Sequence, residues 1–191
     1  MCIRDSSCSE EDLLIGNIIT DFITKKDEEL YSDRIKVGIT LHRAIDSFTD
    51  THPASLQLRR LLRPRHKKYA PVVVDLVWDY FLSAKWSDYS ENSLEVFNAE
   101  IYDILSRRLT DLPTGLRSRL KQMITDDFLM AYATESRVRK SLQWMDNRVK
   151  FESAFHLMPI DIKENFELIS HLFDQFFPEL IAHSEVYCGC N

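Results

Sequence analysis

GITLHRAIDSFTD, running from Gly38 to Asp50, is the stretch whose reading decides the fold. At a helical turn of about 100° per residue, Val37, Leu41, Ala44, Ile45 and Phe48 fall on one apolar stripe. Ile35, Ile39, His42 and Asp46 form a second ridge beside it, while Lys36, Thr40, Arg43 and Ser47 take the outer face. The period is that of a helix and not the alternation of a strand. His42 and Asp46 therefore continue an apolar ridge at positions where a core helix wants leucine. Something other than packing selects them.

Working outward, the same period recurs on both sides. Residues 11–25 carry Leu14, Ile15, Ile18, Ile19 and Phe22 at helical spacing. Residues 34–50 form the second helix, THP marks a turn, and Pro53 suits the opening of a short helix over 53–63. Pro71 opens PVVVDLVWDYFLSAKW, a long apolar helix, and 92–109, 112–130 and 134–150 each show helical periodicity. Residues 161–187 read as a last helix, expected to bend or break at Pro178. The chain holds only 4 Gly and 6 Pro, and no short β-branched runs are divided by turn signals. With 191 residues, 45% of them hydrophobic and 11% aromatic, the expectation is an all-α single domain of about seven helices over residues 11–187.

Composition narrows function. A net charge of −6 makes non-specific nucleic-acid binding a poor default. No apolar run approaches the ~18 residues of a membrane span, and no signal segment is visible, so a cytoplasmic protein is the simplest reading. Cys2, Cys8, Cys188 and Cys190 lie at the ends without the histidines or second pair of a zinc set, and read as frayed terminal thiols. The opening MCIRDS reads as translated sequencing-adapter sequence. Residues 1–10 are accordingly expected to be a non-native or disordered leader, and 188–191 a tail.

The charges that interrupt apolar helices carry the chemistry. From Pro71 to Leu82 the only charged residues are Asp75 and Asp79, four apart and so on one helix face. Asp21 is the only charge between Asp12 and Lys25. A carboxylate in apolar surroundings needs a cation, a metal or a solvated cleft. Each group also has a plain structural reading: Asp75 and Asp79 paired with arginines, Asp21 capping or ion-paired, His42 satisfied in the core, Asp50 capping a helix. Taken together, Asp and His from three helices match the ligand chemistry of a hard or borderline divalent ion, Mn²⁺, Mg²⁺ or Fe, without the thiolates of structural zinc. The one strongly basic stretch, RRLLRPRHKK, brings Arg59, Arg60, Arg63, Arg65, Lys67 and Lys68. It is either a solvated face or a surface that steers an acidic partner.

GNIITDF (16–22), GITLHRAIDSFTDTHP (38–53), YAPVVVDLVWDYFL (69–82) followed by Trp86, and RVKFES (148–153) together resemble the acyl carrier protein phosphodiesterase family, in order and spacing, from about residue 11 to 183. The resemblance implies an all-helical, HD-like enzyme, a divergent relative of the HD-type metal-dependent phosphohydrolases. It also implies hydrolysis of the phosphodiester joining 4′-phosphopantetheine to a serine of holo acyl carrier protein, with a divalent metal, typically Mn²⁺. Carried over to this chain, it implies Asp21, His42, Asp46 and Asp75 as metal ligands and Asp79 and Asp50 as proton-handling groups. Because acyl carrier proteins are strongly acidic, it makes the 59–68 cluster a docking patch. Two departures stand out. The family's MNFLAH-like start, with its histidine, is replaced here by MCIRDSSC, and its DHFL motif reads DYFL, with Tyr80 where histidine is usual. A carrier-binding module without catalysis, and a phosphohydrolase acting on a small phosphodiester or nucleotide, remain the alternative readings.

Overall fold

Nine α-helices linked by short 3₁₀ turns make up the computed structural model, which describes residues 11–188, and no strand occurs among the described residues. The expected leader, residues 189–191 of the expected tail and all the cysteines except Cys188 lie outside the described residues. The helices are α1 (Glu11–Ile19), α2 (Asp33–Thr51), α3 (Pro53–His66), α4 (Ala70–Ala84), α5 (Leu94–Arg108), α6 (Thr114–Thr125), α7 (Glu135–Arg148), α8 (Met158–Glu164) and α9 (Phe166–Cys188). The all-α reading holds. The helix expected over 161–187 is two helices, and the break comes at Asn165, whose backbone (φ −127°, ψ 25°) leaves the helical region. Pro178 lies inside α9, which continues through it.

The contacts gather into two compact units. The first holds α1, α2 up to Ser47, α5, α6 and the end of α9; the second holds the chain from Phe48 to Tyr89 and from Met130 to Leu180.

In the first unit, Ile15, Ile19, Ile35, Ile39, Ile101, Leu105, Leu116 and Leu120 form the core. Its tightest point is glycine on glycine. A Cβ on Gly16 would stand 2.0 Å from the Ile35 carbonyl oxygen, and one on Gly38 would stand 2.1 Å from that of Leu13. Only glycine permits backbones so close. α1 is further tied to α5 by Arg108, which donates to Asp12 at 2.7 Å, and by Arg107, which donates to Glu11 at 2.8 Å.

The second unit is built on aromatic rings. Trp78 of α4 stacks on Phe176 of α9 at 5.1 Å between centroids, and Phe173 packs on Phe177 at 5.2 Å. Trp78 satisfies its indole N–H on Ser55 at 3.0 Å, as a buried tryptophan must. The N-cap of α3 is His52, whose Nδ1 accepts from the Ala54 N–H at 3.2 Å. An accepting Nδ1 puts the proton on Nε2, which donates to Glu179 at 3.2 Å. Asp50, in the last turn of α2, accepts from the Arg59 guanidinium at 2.8 Å. At the other end of α3, buried His66 meets Asp161 of α8 at 2.7 Å.

Candidate active site

The Gly16–Gly38 crossing sets where the site residues stand. After α1 the chain tightens into a 3₁₀ turn over Thr20–Phe22, with the Thr20 hydroxyl donating to the Gly16 carbonyl at 2.7 Å. That turn presents Asp21 toward α2, one helical turn beyond the crossing. His42 and Asp46 are four apart on α2 and so share a face.

The three converge on one atom. His42 Nε2 lies 3.3 Å from Asp21 Oδ1 and 3.3 Å from Asp46 Oδ2. The imidazole is 16% exposed, while the two carboxylates are 71% and 63% exposed. Burial alone would push the ring toward its neutral form, but the hydrogen bonds and charges of Asp21 and Asp46 outweigh it and raise His42 to about 9. Without a metal, then, His42 is an imidazolium at neutral pH, shared between two carboxylates. Next to it on α2, Arg43 is held by both carboxylate oxygens of Glu28 and faces away from this cluster's chemistry.

Imidazole nitrogen with two carboxylate oxygens suits a hard or borderline divalent ion. As they stand the three are ion-paired, and among the described residues no group of three or more His, Cys, Asp or Glu is arranged as a metal cage. The donor chemistry fits; metal ligation requires His42 to give up the proton that the two acids now stabilise.

The second unit carries the other candidates. Asp75 and Asp79 are not in apolar surroundings: both are exposed, on the side of α4 opposite Val73, Val74, Val77 and Phe81. Protein crowds Asp79 on its other sides and pushes its carboxyl upward, although its surface still meets solvent. Tyr132, which sequence reasoning did not single out, has its phenol raised by burial and then by the Asp79 charge, so the two groups lie within electrostatic reach. No sequence spacing links residues 53 apart in the chain.

The basic stretch divides. Arg65 donates to Asp161 at 2.5 Å and to Glu164 at 3.3 Å, and Arg59 is held by Asp50. Arg60 and Arg63 have no ion-pair partner among the described residues.

Comparison with known proteins follows this geometry. The family model for acyl carrier protein phosphodiesterase matches residues 6–180. The chain belongs to that family. Among its relatives, the acyl carrier protein phosphodiesterase of Photorhabdus laumondii subsp. laumondii is 30% identical over 179 residues, covering 92% of this chain and 90% of that protein. Proteins of the same name from Escherichia coli strains are 27% identical over 175 residues, with 91% of each chain covered. No solved structure matches. No described helix is long and apolar enough to cross a membrane.

Proposed function

We propose that this member of the acyl carrier protein phosphodiesterase family hydrolyses the phosphodiester linking 4′-phosphopantetheine to the serine of holo acyl carrier protein, releasing the apo carrier, in the cytoplasm. The observation that carries the reading is the convergence of Asp21 and Asp46, from two separate elements, on one imidazole nitrogen of His42. An unpartnered structural histidine would not need two exposed acids.

Asp21, His42 and Asp46 would hold a divalent ion, Mn²⁺ by the family resemblance with Mg²⁺ or Fe²⁺ as substitutes. When bound, such an ion makes a water more acidic and neutralises charge on the phosphate oxygens. Proton and metal compete for His42 Nε2, so metal affinity rises with pH until the ring is neutral. On hydrolysis a water oxygen bonds to phosphorus, the bond from phosphorus to the serine oxygen breaks, and that oxygen takes a proton. By the family resemblance Asp79 is the first candidate for this proton handling, and desolvation raises its carboxyl to about 6. Asp50, engaged by Arg59, is the second candidate for proton handling. The cations of the 59–68 stretch would meet the acidic carrier.

The test is mass spectrometry of a holo acyl carrier protein incubated with chelator-stripped enzyme, before and after Mn²⁺ is restored. Loss of the phosphopantetheine mass only in the presence of metal is the expected result. An intact holo carrier under both conditions, with a helical circular-dichroism spectrum retained, would reject the reading. Cleavage of a small phosphodiester in the same assay would then favour a phosphohydrolase with another substrate.

A further inference from the structure

Only part of the basic stretch is available to a partner. Arg59, Arg63, Lys67 and Lys68 surround a shallow cavity of about 220 Å³ whose other lining residues are Ala70 and Pro71, with no carboxylate among them. Arg59 is fixed there by Asp50, and its buried Nε has no acceptor among the described residues. Lys67 sits at φ 50°, ψ −121°, a backbone conformation that glycine adopts and other residues rarely do. A lysine thus occupies a position that local backbone preference would give to glycine.

Beside this cavity stands an apolar ledge. Lys68 Nζ, which lines the cavity, lies 3.2 Å from the ring centroid of Phe151. Phe151 is 59% exposed. Its loop is pinned at the base: Asp146 accepts from the Ser153 hydroxyl at 2.7 Å and from the N–H groups of Phe155 and His156 at 2.9 and 3.0 Å. Tyr69, next to Lys68, packs on Phe155 with centroids 5.2 Å apart. The exposed ring is therefore presented from a held loop, which lowers the entropy cost of binding through it.

We propose that this face of the second unit, Arg63, Lys67 and Lys68 with Phe151 as apolar anchor, docks the acidic carrier protein: carboxylates of the carrier meet the three cations while one of its apolar side chains packs on Phe151. The proposal rests on the function proposed above. Charge complementarity selects the occupant. A patch of cations without ion-pair partners among the described residues, on a chain of net charge −6, draws an acidic surface, and two copies of the same cationic face repel each other across a twofold axis. Three cations and one ring are also a weak membrane anchor, at about 1 kcal/mol per basic residue.

The experiment measures binding of an apo acyl carrier protein, which lacks the phosphodiester, by calorimetry at low and moderate salt. The paired change Arg63→Glu with Lys67→Glu is expected to raise Kd tenfold or more and flatten its salt dependence. Phe151→Ala is expected to raise Kd threefold or more without changing the salt dependence. Lys140→Glu, a charge reversal outside this face, should leave Kd within twofold. Wild type that strips holo carrier while both sets of variants bind like wild type would overturn the docking face and leave the function standing. Equal losses in Lys140→Glu would overturn it as general electrostatics. Capture by vesicles of anionic lipid, in place of the carrier and lost in the paired variant, would overturn it in favour of a membrane. Wild type that neither binds nor converts the carrier would overturn the function and this proposal together.

Discussion

His42 is the residue on which the account turns, and its protonation is directly observable. With the ring raised to about 9 by Asp21 and Asp46, its Cε1–H resonance in chelator-treated protein should titrate well above the 6.5 of an ordinary histidine. Asp21→Asn should bring the midpoint down toward 6.5; a midpoint unmoved by that change would mean that the carboxylate does not face Nε2. The folded-state value is raised, so the stability it contributes is fully present below about 6.5 and is lost as pH rises through about 9. Both carboxylates are exposed, which holds the contribution to roughly 1 kcal/mol. Lys67 gives a second prediction at this scale. Lys67→Gly relieves the backbone and should raise stability by about 1 kcal/mol in thermal unfolding while weakening carrier binding. A variant less stable than wild type would show that the conformation at position 67 is not strained.

At the scale of elements, the two glycines matter most. Gly38→Ala puts a methyl group against the Leu13 backbone, where no side chain can yield. The variant should lose roughly 3 kcal/mol or more in denaturant unfolding and shift Asp21 away from His42. A melt within 1 °C of wild type would contradict so close a crossing. This role was not legible in the sequence. GNIITDF and GITL carry glycines inside apolar helical runs, and nothing local says that the two will face each other. What was legible is where apolar periodicity is broken: Asp21, His42 and Asp46 stood out as charges on a buried ridge, and they meet. Asp75 and Asp79 stood out for the same reason; both have exposed surface on one side of α4, and a helix apolar nearly all round does not announce which side that is. Capping the next helix or ending its own is the plain structural reading of Asp50; it lies in the last turn of α2, and His52 caps α3 through Nδ1. Pro178 drew the expected break in the last helix, but the chain leaves helical geometry at Asn165, where no proline stands.

For the molecule as a whole, the chain belongs to the acyl carrier protein phosphodiesterase family and its described residues fold as helices, and the Gly16–Gly38 crossing lies beside the cluster of Asp21, His42 and Asp46 proposed to carry the chemistry. The basic stretch divides: Arg65 helps to tie α3 to α8, whereas Arg63, Lys67 and Lys68 line the shallow cavity proposed to dock the carrier. Tyr80, where the resemblance implied histidine, has its ring edge-on to that of its chain neighbour Phe81 at 5.7 Å. The most direct test of the central claim is kcat for conversion of holo to apo carrier by His42→Ala in saturating Mn²⁺. The account predicts a fall of a hundredfold or more with the helical spectrum intact. A kcat within threefold of wild type would contradict it and move the catalytic centre away from Asp21, His42 and Asp46.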